Sequence, residues 1–145
     1  MRDIALAPRL GAPTRRRAPL VLIVDDDEAM RTAMSRLLRA EGYRAMPATQ
    51  GVDANWVVER HGGEIVLVIT DLLPPAPDGY HLGIPYERLR PYTPVLFTAR
   101  ATREENVRRG LLHPRAPYLR KPFAPSIFVR SVRDVIAAWP ALPAA

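Results

Sequence analysis

The stretch Glu64–Asp71, E-I-V-L-V-I-T-D, constrains the fold more than any other part of the chain. Ile65, Val66, Leu67, Val68 and Ile69 run without a polar break, and all but Leu67 are β-branched. A strand of that kind is apolar on both faces and has to be covered on both, which places it inside a parallel sheet flanked by helices. Asp71 stands where the apolar run stops. Such a strand delivers its last residue to the carboxyl edge of the sheet, where open α/β folds bind ligands. A strand-end aspartate can also do no more than start a turn, so the neighbouring segments decide between the two readings.

Leu20–Val24 is a second short apolar run, followed by four acids, Asp25, Asp26, Asp27 and Glu28. Asp27 and Glu28 suit the first turn of a helix, where negative charge is favourable, which leaves Asp25 and Asp26 nearest the strand end. From Ala29 to Ala40, Met30, Ala33, Met34, Leu37 and Leu38 recur at helical spacing, and Glu41-Gly42 supplies a stop. Tyr43–Ala48 is a weaker strand whose Pro47 suits an edge. Gln50-Gly51 opens a helix over Val52–Arg60 with Trp56 and Val57 facing the core, and His61 closes it beside Gly62-Gly63. After Asp71 comes a proline-stiffened loop ending in Asp78-Gly79, then a helix from Tyr80 to Arg90 that Gly83 and Pro85 make short or kinked.

Pro94–Thr98 reads as the fourth strand and Arg103–Leu112 as the fourth helix. Tyr118–Arg120 is a short fifth strand. The last helix runs over Pro125–Trp139, with Ile127, Phe128, Val132, Val135, Ile136 and Trp139 on one face. Strand and helix alternate five times, which predicts an α/β fold. The expected form is a doubly wound, five-stranded parallel sheet of flavodoxin-like order 2-1-3-4-5 with an irregular third helix.

At 145 residues and 16.2 kDa the chain accommodates one domain. Residues 1–19 lack periodicity and hold five arginines against one aspartate, so they carry +4 of the net charge of +6 and read as a disordered basic extension. The domain is expected over residues 20–140 and a short tail over 141–145. Zero cysteines exclude disulfides and thiolate metal sites. No stretch approaches membrane-spanning length or resembles a secretory signal. The expectation is a soluble cytoplasmic protein with neither a membrane nor a specific nucleic-acid partner.

The strand ends carry one chemistry. Strand one ends in Asp25-Asp26, strand three in Asp71, strand four in Thr98 and strand five in Lys121, and in the order 2-1-3-4-5 all of these meet on one edge. Clustered carboxylates there repel one another unless a hard cation joins them, and Mg²⁺ takes a few carboxylates while keeping waters and phosphate oxygens. Asp71 is then the exposed candidate nucleophile, since carboxylates accept phosphoryl groups. The Thr98 hydroxyl and Lys121 ammonium would contact the phosphoryl oxygens. Lys121 is the one lysine among 21 basic residues, at a place where a compact ammonium rather than a planar guanidinium would serve. Its bond to Pro122 is of the one kind that can adopt cis at modest cost and so reshape the chain there.

These residues resemble the receiver domain of two-component response regulators. The matching stretches are V-L-I-V-D-D-D-E, G-V-D-A, V-I-T-D-L-L-P-P-A-P-D-G, P-V-L-F-T-A and Y-L-R-K-P-F, in the family's order across about residues 20 to 139. The resemblance implies Asp71 as phospho-acceptor, Asp25 and Asp26 as Mg²⁺-binding acids and a backbone carbonyl ligand from Leu73. It further implies Thr98 as switch hydroxyl, Lys121 as the phosphate-contacting lysine, Tyr118 as aromatic switch residue and a cis Lys121–Pro122 bond that turns Phe123 towards the core. Implied partners are a sensor histidine kinase or a histidine phosphotransfer protein and a downstream protein. The chain would be a single-domain regulator rather than an enzyme, acting by phosphorylation-dependent binding or onward phosphotransfer. Two features depart from the family: Gly83 and Pro85 in the third helix, and Pro114-Arg115-Ala116-Pro117 where a glycine-alanine turn is usual. Two alternatives stand beside this reading, an Mg²⁺-dependent phosphohydrolase with Asp71 as nucleophile and a DNA-associated regulator acting through the arginine-rich extension.

Overall fold

A computed structural model describes residues 17–49, 52–72 and 93–138. Numbered within those residues, the elements are β1 (Leu20–Val24), α1 (Glu28–Ala40), β2 (Arg44–Ala48), α2 (Val52–His61), β3 (Ile65–Asp71), β4 (Val95–Ala99), α3 (Arg103–Arg108), β5 (Tyr118–Arg120) and α4 (Pro125–Ala138), with a 3₁₀ turn at Gly62–Glu64. The five strands form one sheet in the order β2-β1-β3-β4-β5, and every pairing is parallel. This is the doubly wound architecture that the apolar run in β3 demands, with β3 at the centre and Pro47 on edge strand β2.

Alternation along β1 divides the core into two layers. Leu20, Leu22 and Val24 pack with Ala54, Val57 and Val58 of α2. Val21 and Ile23 pack with Met34 and Leu38 of α1 and with Phe128 and Val132 of α4. A strand presents successive side chains to opposite faces, so a strand whose residues are all buried needs helices on both sides. Phe123 joins the second layer, stacked on Phe128 with 5.3 Å between ring centroids.

Three expectations change. Trp56 is 49% exposed while Val57 is buried; neighbouring helical residues point about 100° apart, so α2 gives its core stripe to Ala54, Val57 and Val58 and sends Trp56 outward, where Arg60 lies 4.7 Å from its ring. Ile127 is likewise 43% exposed, one position off the stripe of Phe128 and Val132. The helix expected over Arg103–Leu112 closes at Arg108, because Gly110 takes a φ of 75° and turns the chain in a left-handed cap. Leu112 is buried outside the helix.

Residues 17–19, which the sequence assigns to the extension, run beside β2. The Arg44 N–H and Nε donate to the Pro19 and Ala18 carbonyls, both at 2.8 Å, and Arg17 pairs with Glu64 at 3.3 Å. Residues 1–16, Gln50-Gly51, Leu73, Asp78-Gly79, the helix expected over 80–90, Trp139 and the tail lie outside the described residues. No described helix is long and apolar enough to cross a membrane.

Candidate functional site

Sheet register brings the chemistry-bearing residues together. Val24 pairs with Thr70, so Asp25 follows beside Asp71; Asp71 pairs with Thr98, and Ala99 pairs with Arg120, directly before Lys121. The backbone extends this edge: Leu72 N–H donates to Thr98 O at 2.8 Å and Lys121 N–H to Ala99 O at 2.7 Å.

Asp25 is 1% exposed and Lys121 8%. The Lys121 Nζ donates to Asp25 Oδ2 at 2.8 Å and to Asp71 Oδ1 at 2.5 Å, and the buried Thr98 Oγ1 donates to the same Asp71 oxygen at 3.2 Å. One ammonium thus joins the ends of β1, β3 and β5. The Lys121–Pro122 bond is cis, as expected. Asp25 Oδ1 accepts from Asp27 N–H at 2.9 Å, an Asx turn that swings the chain into α1. Asp27 Oδ1 then caps that helix, accepting from Ala29 N–H at 2.9 Å and Met30 N–H at 3.3 Å.

Together with Asp26, Asp27, Leu72, Ala99 and Arg100 these residues line a cleft of about 340 Å³. Burial pushes the Asp71 carboxyl above the ordinary aspartate range, Asp25's negative charge pushes the same way, and the Lys121 hydrogen bond and charge oppose both. For Lys121, burial favours the neutral amine, but hydrogen bonds to Asp25 and Asp71 and their charges outweigh it and hold the ammonium above the usual lysine value.

The expectation that Asp25, Asp26 and Asp71 converge is met only in part. Asp25 and Asp71 face one another across Lys121, whereas Asp26 lines the same cleft from an exposed position at its rim. Among the described residues no three Asp, Glu or His side chains gather at ligand spacing. The donor chemistry still fits a hard divalent ion: all the acids offer oxygen, two of them already share a cation, and Mg²⁺ needs only one or two carboxylates beside its waters.

Tyr118 stands at the other end of β5. Its hydroxyl donates to the Ala101 carbonyl and accepts from Asn106 Nδ2 at 3.0 Å, and burial pushes the phenol above its usual range. Arg103 Nη1 donates to the Pro114 and Ala116 carbonyls at 2.9 and 2.7 Å, with the guanidinium 5.8 Å from the Tyr118 ring. The proline-rich stretch before β5 is thereby fastened to α3. Sequence reasoning missed Asn106, Arg103 and Arg31, the last of which donates through Nη1 to the Asp25 carbonyl at 2.6 Å. A side chain reaching a backbone carbonyl leaves no period in the sequence; the one available signal was that Arg31 follows Asp27 by one helical turn.

Residues 21–133 match the family model of the response regulator receiver domain. The chain belongs to this family. Among curated relatives, this receiver domain is 29% identical over 116 residues to the uncharacterized transcriptional regulatory protein YbdJ of Bacillus subtilis, a match covering 80% of this chain and 50% of that protein. It is 28% identical to the sensor kinase CckA of Brucella abortus over 80% of this chain and 12% of that protein. The chain therefore spans half or less of the length of these relatives. Among solved structures, the receiver domain of the hybrid histidine kinase CckA superposes with a TM-score of 0.58 at 27% identity, covering 81% of this chain and 98% of that one.

Proposed function

We propose that this receiver domain accepts a phosphoryl group on Asp71, from the phosphohistidine of a sensor histidine kinase or histidine phosphotransfer protein. Phosphorylation then changes which protein it binds or passes the group onward. The observation that carries the reading is the shared engagement of one Asp71 carboxylate oxygen by Lys121 and Thr98 at the mouth of an acidic cleft.

In the transfer, an Asp71 carboxylate oxygen attacks phosphorus, the P–O bond of an acyl phosphate forms, and the P–N bond breaks with its electron pair leaving on the imidazole. The Lys121 ammonium and Thr98 hydroxyl are fixed donors for the phosphoryl oxygens, and a fixed donor costs little reorganisation as charge develops. Asp25, Asp26 and Asp71, with the Leu73 carbonyl, are the groups that would hold Mg²⁺, which supplies neutralisation of phosphoryl charge when bound. Tyr118, tied to Ala101 and Asn106, is the candidate reporter of the change at Thr98.

The test is incubation of the full chain with a small phosphodonor and Mg²⁺ followed by intact mass. One phosphoryl adduct that fails to form when EDTA removes the metal is expected; a protein that stays unmodified would contradict the proposal.

A further inference from the structure

Behind the acids that line the cleft lies a cationic contact to which phosphoryl transfer assigns no role. Arg31, in the first turn of α1, donates from Nη1 to the Asp25 carbonyl at 2.6 Å, a short charge-assisted bond. That carbonyl belongs to the peptide unit joining Asp25 to Asp26. The unit is planar, so holding its oxygen also sets the direction of the Asp26 N–H and the position of the Asp26 Cα, the point from which that side chain starts. The rest of Asp25 is committed already: its N–H donates to Ala48 O at 3.1 Å, Oδ1 takes the Asp27 N–H at 2.9 Å, and Oδ2 takes Lys121 at 2.8 Å. Arg31 adds the anchor for the peptide between the two acids.

We infer that Arg31 is a positioning residue for the divalent cation: it orients the Asp25–Asp26 peptide so that both carboxylates serve the cleft, and cation affinity depends on it. The inference rests on the proposed assignment of Asp25, Asp26 and Asp71 to Mg²⁺. Charge and orientation make opposite demands at this position. As a bare positive charge beside four consecutive acids, Arg31 repels Mg²⁺, and its removal strengthens binding. As the anchor of the peptide, its removal lets Asp26 shift relative to the fixed Asp25 and weakens binding by about tenfold or more, the usual cost of losing a group that orients metal ligands.

The experiment is an MgCl₂ titration of the full chain followed by the amide NMR shifts of residues 25–27, with wild type, Arg31→Met and Arg31→Lys. Arg31→Met keeps the aliphatic stem and loses the donors; a dissociation constant raised about tenfold or more is expected, with circular dichroism unchanged and Arg31→Lys intermediate. A constant equal to or tighter than wild type would overturn the inference while leaving the cation assignment standing. A wild-type protein whose residue 25–27 amides ignore Mg²⁺ would overturn the assignment, and the inference with it. Should Arg31→Met not fold, Arg31→Lys decides: weaker binding at unchanged charge supports orientation, and binding equal to wild type overturns it.

Discussion

The role proposed for Lys121 depends on the shape of its charge. Its ammonium meets Asp25 and Asp71 from a site 8% exposed, and a compact point charge can sit between two carboxylates where a planar fork has to choose a direction. Lys121→Arg is expected to fold, by circular dichroism, and to accept phosphoryl groups about tenfold more slowly, a milder loss than removing a fixed donor altogether; a variant reacting at the wild-type rate would remove the role assigned to the ammonium. Glu64, at the opposite end of β3 from Asp71, sits in a charged cluster of its own. A hydrogen bond from His61, then the Arg44 hydrogen bond and charge and the Arg17 charge, lower its carboxyl from 4.5 to about 2. Because the folded value is the lower one, the ionised group stabilises the fold above about pH 4.5 and the contribution disappears as pH falls towards about 2. Glu64→Gln should therefore melt below wild type at neutral pH, with the gap closing beneath pH 4.5. Thermal unfolding at stepped pH checks this, and a gap that stays constant down to acid pH would count against the Arg17–Arg44–His61 cluster.

Among the elements, strands were more legible than helices. An apolar run such as Leu20–Val24 has one way to be buried on both faces, and it is the observed strand. Helix faces blur by one residue: Trp56 and Ile127 lie beside the stripes they were expected to join. The end of α3 depends on the conformation of Gly110, which charge and hydropathy do not reveal. The link between α3 and β5 was illegible for a related reason. Asn106 is 2% exposed and its amide reaches the Thr102 carbonyl at 3.1 Å and the Tyr118 hydroxyl at 3.0 Å, contacts that follow from the turn after β4 and from no repeat. Asn106→Ala is expected to cost about 1–3 kcal/mol, the usual penalty for buried polar groups stripped of a partner, and to speed amide exchange around Tyr118. Denaturant unfolding and hydrogen exchange measure the two effects, and an unchanged midpoint would show that the network contributes little.

For the whole molecule, the site was legible because the topology is simple. In a parallel sheet every strand ends on the same edge, so Asp25, Asp71, Thr98 and Lys121 could be assigned to one place from strand ends alone, and the pairing of Asp71 with Thr98 brings them there. What topology leaves open is the last ångström: Asp26 lies at the rim, and Lys121 rather than a third carboxylate lies between Asp25 and Asp71. Asp71 is the proposed acceptor. Asn at that position keeps the shape and an oxygen for Lys121 and Thr98 while removing the nucleophile, so the direct measurement is intact mass of wild type and Asp71→Asn after identical treatment with phosphodonor and Mg²⁺. One phosphoryl adduct on the wild type and none on a folded Asp71→Asn is the expected result; an undiminished adduct on the variant would show that Asp71 is not the acceptor.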